Sequence, residues 1–122
     1  MKRLLMASLL GLAVLGFNAA AHGPNKAEHG GVVQAAGDLS FELVSQGDRA
    51  ALHVIDHDKP ADVSKMTGKL TVLDGAEKTE AELKPATGNK LEAAARLPAG
   101  AKAVATVTAP NGKTVTVRFA MK

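Results

Sequence analysis

Residues 39–55 read LSFELVSQGDRAALHVI, and the alternation within this stretch decides the fold. Every second residue at its start is apolar, with Ser40 and Glu42 in between, which is the period of two expected of a half-buried β-strand. Gly47 and its polar neighbours predict a turn, and residues 49–55 predict a returning strand. The stretch therefore predicts a β-hairpin.

The same signals recur along the rest of the chain. After a first β-like piece that opens at Val32, further strands are predicted at residues 69–73, 77–83, 91–97, 104–108 and 114–119. Asp74-Gly75 and Asn111-Gly112 are typical of tight hairpin turns. A short helix is the open alternative for residues 91–96, because Glu and Ala prefer helices, although the context favours a strand. Seven or eight short strands predict an all-β fold, a small antiparallel β-sandwich of immunoglobulin-like kind.

The amino-terminal segment predicts the compartment. Lys2 and Arg3 precede an apolar run at residues 4–17, and small residues end the segment at Ala21. This pattern is typical of a secretory signal peptide, and it predicts cleavage of residues 1–21 and a periplasmic mature protein. The apolar run is shorter than the roughly 20 residues of a membrane span, so we expect no span after cleavage. Retention as an uncleaved anchor is the alternative.

Composition restricts what the mature chain can do. Two of the 15 basic residues lie in the leader, which leaves 13 against 12 acidic residues and a net charge of +1. A chain of that charge with no Trp and no Tyr lacks the surface of a nucleic-acid binder, so no nucleic acid is expected as a partner. Residues 22–36 are predicted to form a loop and the first strand, and residues 37–122 the rest of one β-sandwich domain. The absence of Cys excludes disulfides and thiolate ligands.

All four histidines lie in the first third of the mature chain, two of them in the glycine-rich stretch of residues 22–31. Imidazole is a common ligand of transition metals, and carboxylates complete harder sites. The predicted metal ligands are His22, His29, His57, Asp56, Asp58 and His53. The predicted cofactor is a divalent transition metal ion, with Cu(II) favoured and Zn(II), Cd(II), Co(II) or Ni(II) as the alternatives.

Two arguments shape this predicted site. If cleavage falls after Ala21, the amino group and the ring of His22 can chelate one ion in the square geometry that Cu(II) prefers. The loop of residues 56–58 could then meet the amino-terminal loop and bring His29 and His57 to the same ion. His53 shares a strand face with Ala51 and Ile55, where packing is the stronger interpretation. No nucleophile motif accompanies these groups, so no enzyme is predicted.

Four short segments carry a resemblance to known proteins: HGGVV at 29–33, DLSFELV at 38–44, IDHDKP at 55–60 and TGKLTVL at 67–73. With them the chain resembles a group of small secreted bacterial proteins. It is also similar to an extra amino-terminal domain of adaptor subunits in heavy-metal efflux pumps of the resistance-nodulation-division (RND) type. The resemblance implies a periplasmic role in handling copper, zinc, cadmium, cobalt or nickel. The histidine that carries over most directly is His29, while Glu42 and His57 match patterned positions.

A second, looser likeness is to CopC-like periplasmic copper carriers, which are small β-sandwiches with a histidine at the mature amino terminus. His22 fits that pattern, but the Asp-x-His pair near the carboxyl end of those carriers is missing here. The functional prediction is a heavy-metal-binding carrier, buffer or accessory factor of metal efflux and resistance, with a heavy-metal RND efflux adaptor as the candidate partner. The competing hypothesis is a metal-independent interaction module that docks on such an adaptor or another envelope partner through its strand edges.

Overall fold

The computed structural model describes residues 26–122, and strands are the only regular elements in that range. The predicted signal peptide and His22 lie outside the described residues. The nine strands are β1 (Val32–Ala36), β2 (Leu39–Gln46), β3 (Arg49–Asp56), β4 (Lys59–Pro60), β5 (Thr67–Asp74), β6 (Glu77–Pro85), β7 (Lys90–Ala93), β8 (Lys102–Thr108) and β9 (Thr114–Ala120).

The strands form one continuous antiparallel sheet that folds over on itself. Its order is β1-β2-β3-β7-β6-β5-β8-β9, and the short β4 pairs with β3 outside that path. The two terminal strands of this path, β1 and β9, pack against each other. The sheet thereby forms a sandwich that nearly closes into a barrel, and closure of this kind protects strand edges from other chains.

The core lies between the two halves of the sheet. The alternation noted in the sequence places one face of the longer strands inside, as in β2 with Phe41 and Leu43 and in β3 with Leu52 and Val54, all fully buried. From the second half of the sheet, Phe119 packs into the same core. Apolar burial at about 25 cal/mol per Å² is the main stabilising term for a domain that has no disulfide.

The structure confirms the all-β class and the small antiparallel β-sandwich. The 39–55 hairpin forms with the predicted turn, in which Gln46 pairs with Arg49. The segment predicted as a strand at 91–97 is strand only at its start, because β7 ends at Ala93. Within residues 26–122 no helix exists that is long and apolar enough to cross a membrane.

Candidate metal-binding site

The outer face of the β2–β3 hairpin carries the candidate site. In the ladder between these strands Glu42 stands directly opposite His53. Their neighbours Phe41, Leu52 and Val54 point into the core, so the alternation of side chains turns Glu42 and His53 to the other face of the sheet. That face remains accessible to the segment of the chain that precedes β1.

The segment of residues 26–31 lies over this face and is held by one carboxylate. The Glu42 side chain is only 5% exposed. Its Oε1 accepts the backbone N–H of Glu28 at 3.0 Å, and its Oε2 accepts those of His29 at 2.9 Å and Gly31 at 2.8 Å. Hydrogen bonds to an ionised acceptor are stronger than neutral ones. Glu42 therefore fixes the path of the chain around His29.

The two glycines after His29 explain how the chain can take that path. Gly30 has a φ of +76°, a left-handed conformation that disfavours residues with a Cβ. A Cβ built on Gly31 would lie 2.3 Å from the carbonyl oxygen of Leu43 and 2.8 Å from a methyl carbon of Val44. The His-Gly-Gly sequence is therefore required by backbone geometry, because it lets the amide of Gly31 reach Glu42.

This arrangement brings two imidazole rings together. The rings of His29 and His53 are stacked, with 3.8 Å between their centroids and an angle of 10° between their planes. His29 is exposed to solvent and His53 is partly buried beneath it. Two nitrogen ligands on one ion with bonds of 2.0–2.1 Å are separated by about 3 Å in tetrahedral or square geometry. The lone pairs of the ring nitrogens lie in the two nearly parallel ring planes, so one ring has to turn out of the stack before both can bind the same ion.

The space at this point fits an ion better than an organic molecule. A cavity of about 20 Å³ is lined by His29, Glu42 and His53, together with Glu28, Ile55 and other neighbours. Only one water molecule or one ion fits such a volume. A small-molecule substrate needs a pocket at least ten times as large.

The charges at the site favour a cation. Burial raises the pKa of Glu42, but the N–H groups of Glu28, Gly31 and His29 and the nearby imidazole outweigh it, and the net effect lowers this pKa. Burial, followed by the charges of His29 and Lys90, lowers the pKa of His53 despite the opposite effect of Glu42. At neutral pH the site therefore offers an anionic carboxylate next to a neutral imidazole, the forms that metal ions require.

The remaining predicted ligands lie elsewhere. Asp56 ends β3, and His57 and Asp58 follow it in the exposed turn before β4. His57 Nδ1 is 2.5 Å from Asp56 Oδ1. Asp56 pairs with Leu39, three ladder positions from the Glu42–His53 pair, which is about 10 Å along the strand. The structure thus brings His29 together with His53 and places His57 at the end of the hairpin.

No group of three His, Asp or Glu side chains among residues 26–122 is already arranged to hold a metal ion. The structure gives Glu42 and His53 a larger part in this site than the sequence predicts, where packing is the stronger interpretation for His53 and Glu42 only matches a patterned position. Glu42 interrupts an otherwise apolar strand and is opposite His53 in the hairpin register. The predicted hairpin with its turn at Gly47 already implies this pairing, so the sequence contained the signal that places Glu42 next to His53.

These observations define a small all-β sandwich that carries a pair of stacked histidines on its outer face. Comparison of the chain with protein-family models, with curated proteins and with solved structures finds no match.

Proposed function

We propose that this protein binds a heavy-metal ion through His29 and His53, as a periplasmic carrier, buffer or accessory factor of metal efflux. The observation that carries the proposal is the stack of the two imidazoles, 3.8 Å apart, beside the carboxylate of Glu42. The periplasmic location and the efflux role are supported by the leader-like residues 1–21 and by the resemblance described above.

Each residue of the site has a separate role in this proposal. His29 and His53 supply nitrogen ligands. Glu42 is a positioning residue, because its oxygens already accept three backbone N–H groups that place His29. Its negative charge, in a partly desolvated position, also attracts a cation. Solvent completes the coordination.

The ligand chemistry favours Cu(II) and admits Zn(II), Cd(II), Co(II) and Ni(II). Cu(II) binds nitrogen ligands most tightly among the divalent first-row ions. His29 is exposed and lies on a segment that precedes the first strand, so a partner could take the ion by replacing one ligand at a time. Exchange of this kind fits a carrier or buffer.

Calorimetric titration of the chain from His22 to Lys122, freed of metal, tests the proposal with each of the five ions. We expect one ion per chain. His29→Ala and His53→Ala should each weaken binding by at least about tenfold, since even the loss of a group that supports a ligand costs about 10- to 100-fold. His57→Ala is the matched control, because it removes an exposed imidazole from the end of the same hairpin, and it should leave the affinity unchanged.

Other outcomes would relocate or overturn the site. Loss of binding in His57→Ala with retention in His53→Ala would move the ligands to the turn of residues 56–58. Weakening by one extra residue before His22 would show that the amino-terminal nitrogen participates. Absence of binding for all five ions would overturn the proposal. Electron paramagnetic resonance of the Cu(II) complex should show at least two imidazole nitrogens, one fewer in each of the two histidine variants.

A further inference from the structure

Strand β6 has an open edge. On one side it pairs with β5 along residues 77–83. On the other side the ladder to β7 contains only Lys84 and Pro85. Among residues 26–122, the stretch 77–83 therefore has a paired strand on one side only.

Lys78, Glu80 and Glu82 direct the hydrogen-bonding groups of their backbone to this open edge. Glu77 pairs with Asp74 to close the two-residue hairpin between β5 and β6, so its N–H and C=O groups face β5. Because these groups alternate between the two edges of a strand, the even-numbered residues of β6 face away from β5. The bond from Ala86 N–H to Lys90 O, 2.8 Å long on the β7 side, follows the same alternation.

The side chains on the core-side face of β6 become uncovered toward the hairpin turn. Leu83 is 1% exposed, whereas on the same face of the strand Ala81 is half-buried and Thr79 is exposed. Two grooves of about 470 and 490 Å³ lie beside Thr79 and Ala81, and Ala94 borders both of them. The edge therefore opens progressively from the β7 ladder toward the turn at Gly75.

The outer face of β6 carries a mixed charge pattern. Lys78, Glu80, Glu82 and Lys84 follow one another at every second position. Lys69 Nζ of β5 lies 3.7 Å from Glu80 Oε2, and Lys78 Nζ lies 3.6 Å from the same oxygen. Exposed ion pairs of this kind are weak and readily exchanged. The order of these charges, and not their sum, therefore determines which strand the edge can accept.

This order is complementary to itself in one antiparallel register. Centred on Ala81, pairing with a second copy would set Glu80 opposite Glu82, and centred on Glu80 it would set that carboxylate opposite its own copy. Centred on Thr79, the pairing sets Lys78 opposite Glu80 on both sides of the axis. Opposite charges stabilise a strand pair and like charges destabilise it. The charges therefore select the register centred on Thr79.

The backbone and the available space fit the same register. It lies farther from the β7 ladder than the other two, where the edge is most open. Lys78 and Glu80 of each copy exchange N–H···O=C bonds with Glu80 and Lys78 of the other copy. The two Thr79 side chains meet at the centre, in a pair without backbone hydrogen bonds, where side chains come closest and Thr–Thr contacts are favourable. Because the contact is small, the resulting dimer is weak and depends on concentration.

We propose that this protein forms a symmetric dimer through the open edge of β6, with the two strands antiparallel and the two-fold axis at Thr79. The same patch of surface then serves both copies, as in other two-fold interfaces, and the sheet continues from one copy into the other. His29 and His53 lie on the β2–β3 hairpin side of the molecule and take no part in this pairing. The dimer therefore does not depend on the proposed metal site.

Sedimentation equilibrium of the chain from His22 to Lys122 tests the proposal, from micromolar to millimolar protein and with a chelator present. We expect a dimer that forms as the concentration rises. Hydrogen exchange at the amides of Lys78 and Glu80 should slow with it. K78E and E80K should each weaken the dimer by about tenfold, since each turns both attractive charge pairs into repulsive ones.

Two further variants make the test specific. The double variant K78E/E80K should restore the dimer, because it exchanges the charges within each pair. In the register centred on Glu80 the same variant would set two carboxylates opposite each other, so restoration identifies the Thr79 register. K84E is the matched control, because it makes the same charge change on the same face but within the β7 ladder, and it should leave the dimer intact. Thermal melts establish that each variant is folded.

Several outcomes would overturn the proposal. These are a monomer at every concentration, a dimer that K78E and E80K leave intact, and failure of K78E/E80K to restore the dimer. Slowed exchange confined to β1 or β9 would place the contact at another edge. A dimer that forms only with added metal would show that an ion, and not strand pairing, joins the two copies.

Discussion

Two regions of one hairpin combine histidine with a carboxylate and do so in opposite ways. At its middle, Glu42 is 5% exposed and accepts three backbone N–H groups beneath a pair of stacked imidazoles. At its end, Asp56 and His57 contact each other with side chains that are 51% and 74% exposed. The same residue types therefore fix the path of the backbone in the first region, whereas in the second they only contact each other on the surface.

The difference shows that burial and backbone donors, not residue type, decide what a carboxylate contributes. Exposed ion pairs add about 0–1 kcal/mol, because water screens them and the side chains lose entropy. A buried carboxylate whose oxygens accept amide N–H groups adds more, because its removal leaves those donors without partners.

The largest effect should come from Gly31→Ala. The added Cβ would lie 2.3 Å from the Leu43 carbonyl oxygen, and a clash with backbone cannot be relieved by a rotamer change. We expect a loss of about 3 kcal/mol in the free energy of unfolding, or detachment of residues 26–31 from the sheet. Urea denaturation and hydrogen exchange at Gly31 distinguish the two.

Gly30→Ala is the control for this variant. No atom lies within 4 Å of the position that its added Cβ would take, and only the φ of +76° is unfavourable, at a cost of about 1–2 kcal/mol. Equal losses in the free energy of unfolding for the two variants would show that the close approach of Gly31 to Leu43 is not what makes Gly31 necessary.

Glu42→Gln should have the next largest effect, about 2 kcal/mol, because the amide loses the charge and turns an NH₂ group toward N–H donors. The folded-state pKa of Glu42 is lowered from 4.5, so below that pH the unfolded state binds more protons. In metal-free protein the stability should fall as the pH drops below 4.5, and the variant should lack this contribution.

The measurement is urea unfolding between acidic and neutral pH. Glu80→Gln, at an exposed position of β6, is the matched control and should keep the acid-side slope. An unchanged slope in Glu42→Gln would contradict the role assigned to the buried carboxylate.

His53→Ala should cost about 1 kcal/mol through loss of the stacked ring, whereas His57→Ala should stay within about 0.5 kcal/mol. The pKa of His53 is lowered in the fold from 6.5, so the unfolded state again binds more protons below that pH. Its contribution is complete above pH 6.5 and declines as the pH falls below it. Thermal melts of both variants from pH 7 downward check this, because His53→Ala should lack this fall in stability and His57→Ala should keep it. The opposite result would show that His57, not His53, is the histidine whose protonation destabilises the fold.

The smallest effect should come from Asp58→Gly, which acts on the exposed turn alone. His57 and Asp58 have φ values of 52° and 69°, and glycine adopts the second of these without a steric cost. We expect a gain of about 0.5 kcal/mol in urea unfolding, with metal binding unchanged. A loss of metal binding in this variant would show that the turn takes part in the site.

Sequence alone was sufficient for most of the fold. The period of two in β2 and β9 and the turn dipeptides at Asp74-Gly75 and Asn111-Gly112 are local signals, and the strands follow them. The end of β7 at Ala93 could not be predicted in this way. The alternation of apolar residues continues to Leu97, but the pairing of β7 with β3 and β6 stops at Ala93. Pairing is a long-range property that a local pattern cannot contain.

The residue types of the candidate site were also readable, since the histidines and the His-Gly-Gly sequence stand out in the chain. Which histidines meet was decided by tertiary structure. His29 stacks on His53 because Glu42, opposite His53 in the register, captures the amides around His29. That contact joins residues far apart in the sequence and depends on a strand register and a backbone path, so only the folded chain could select it.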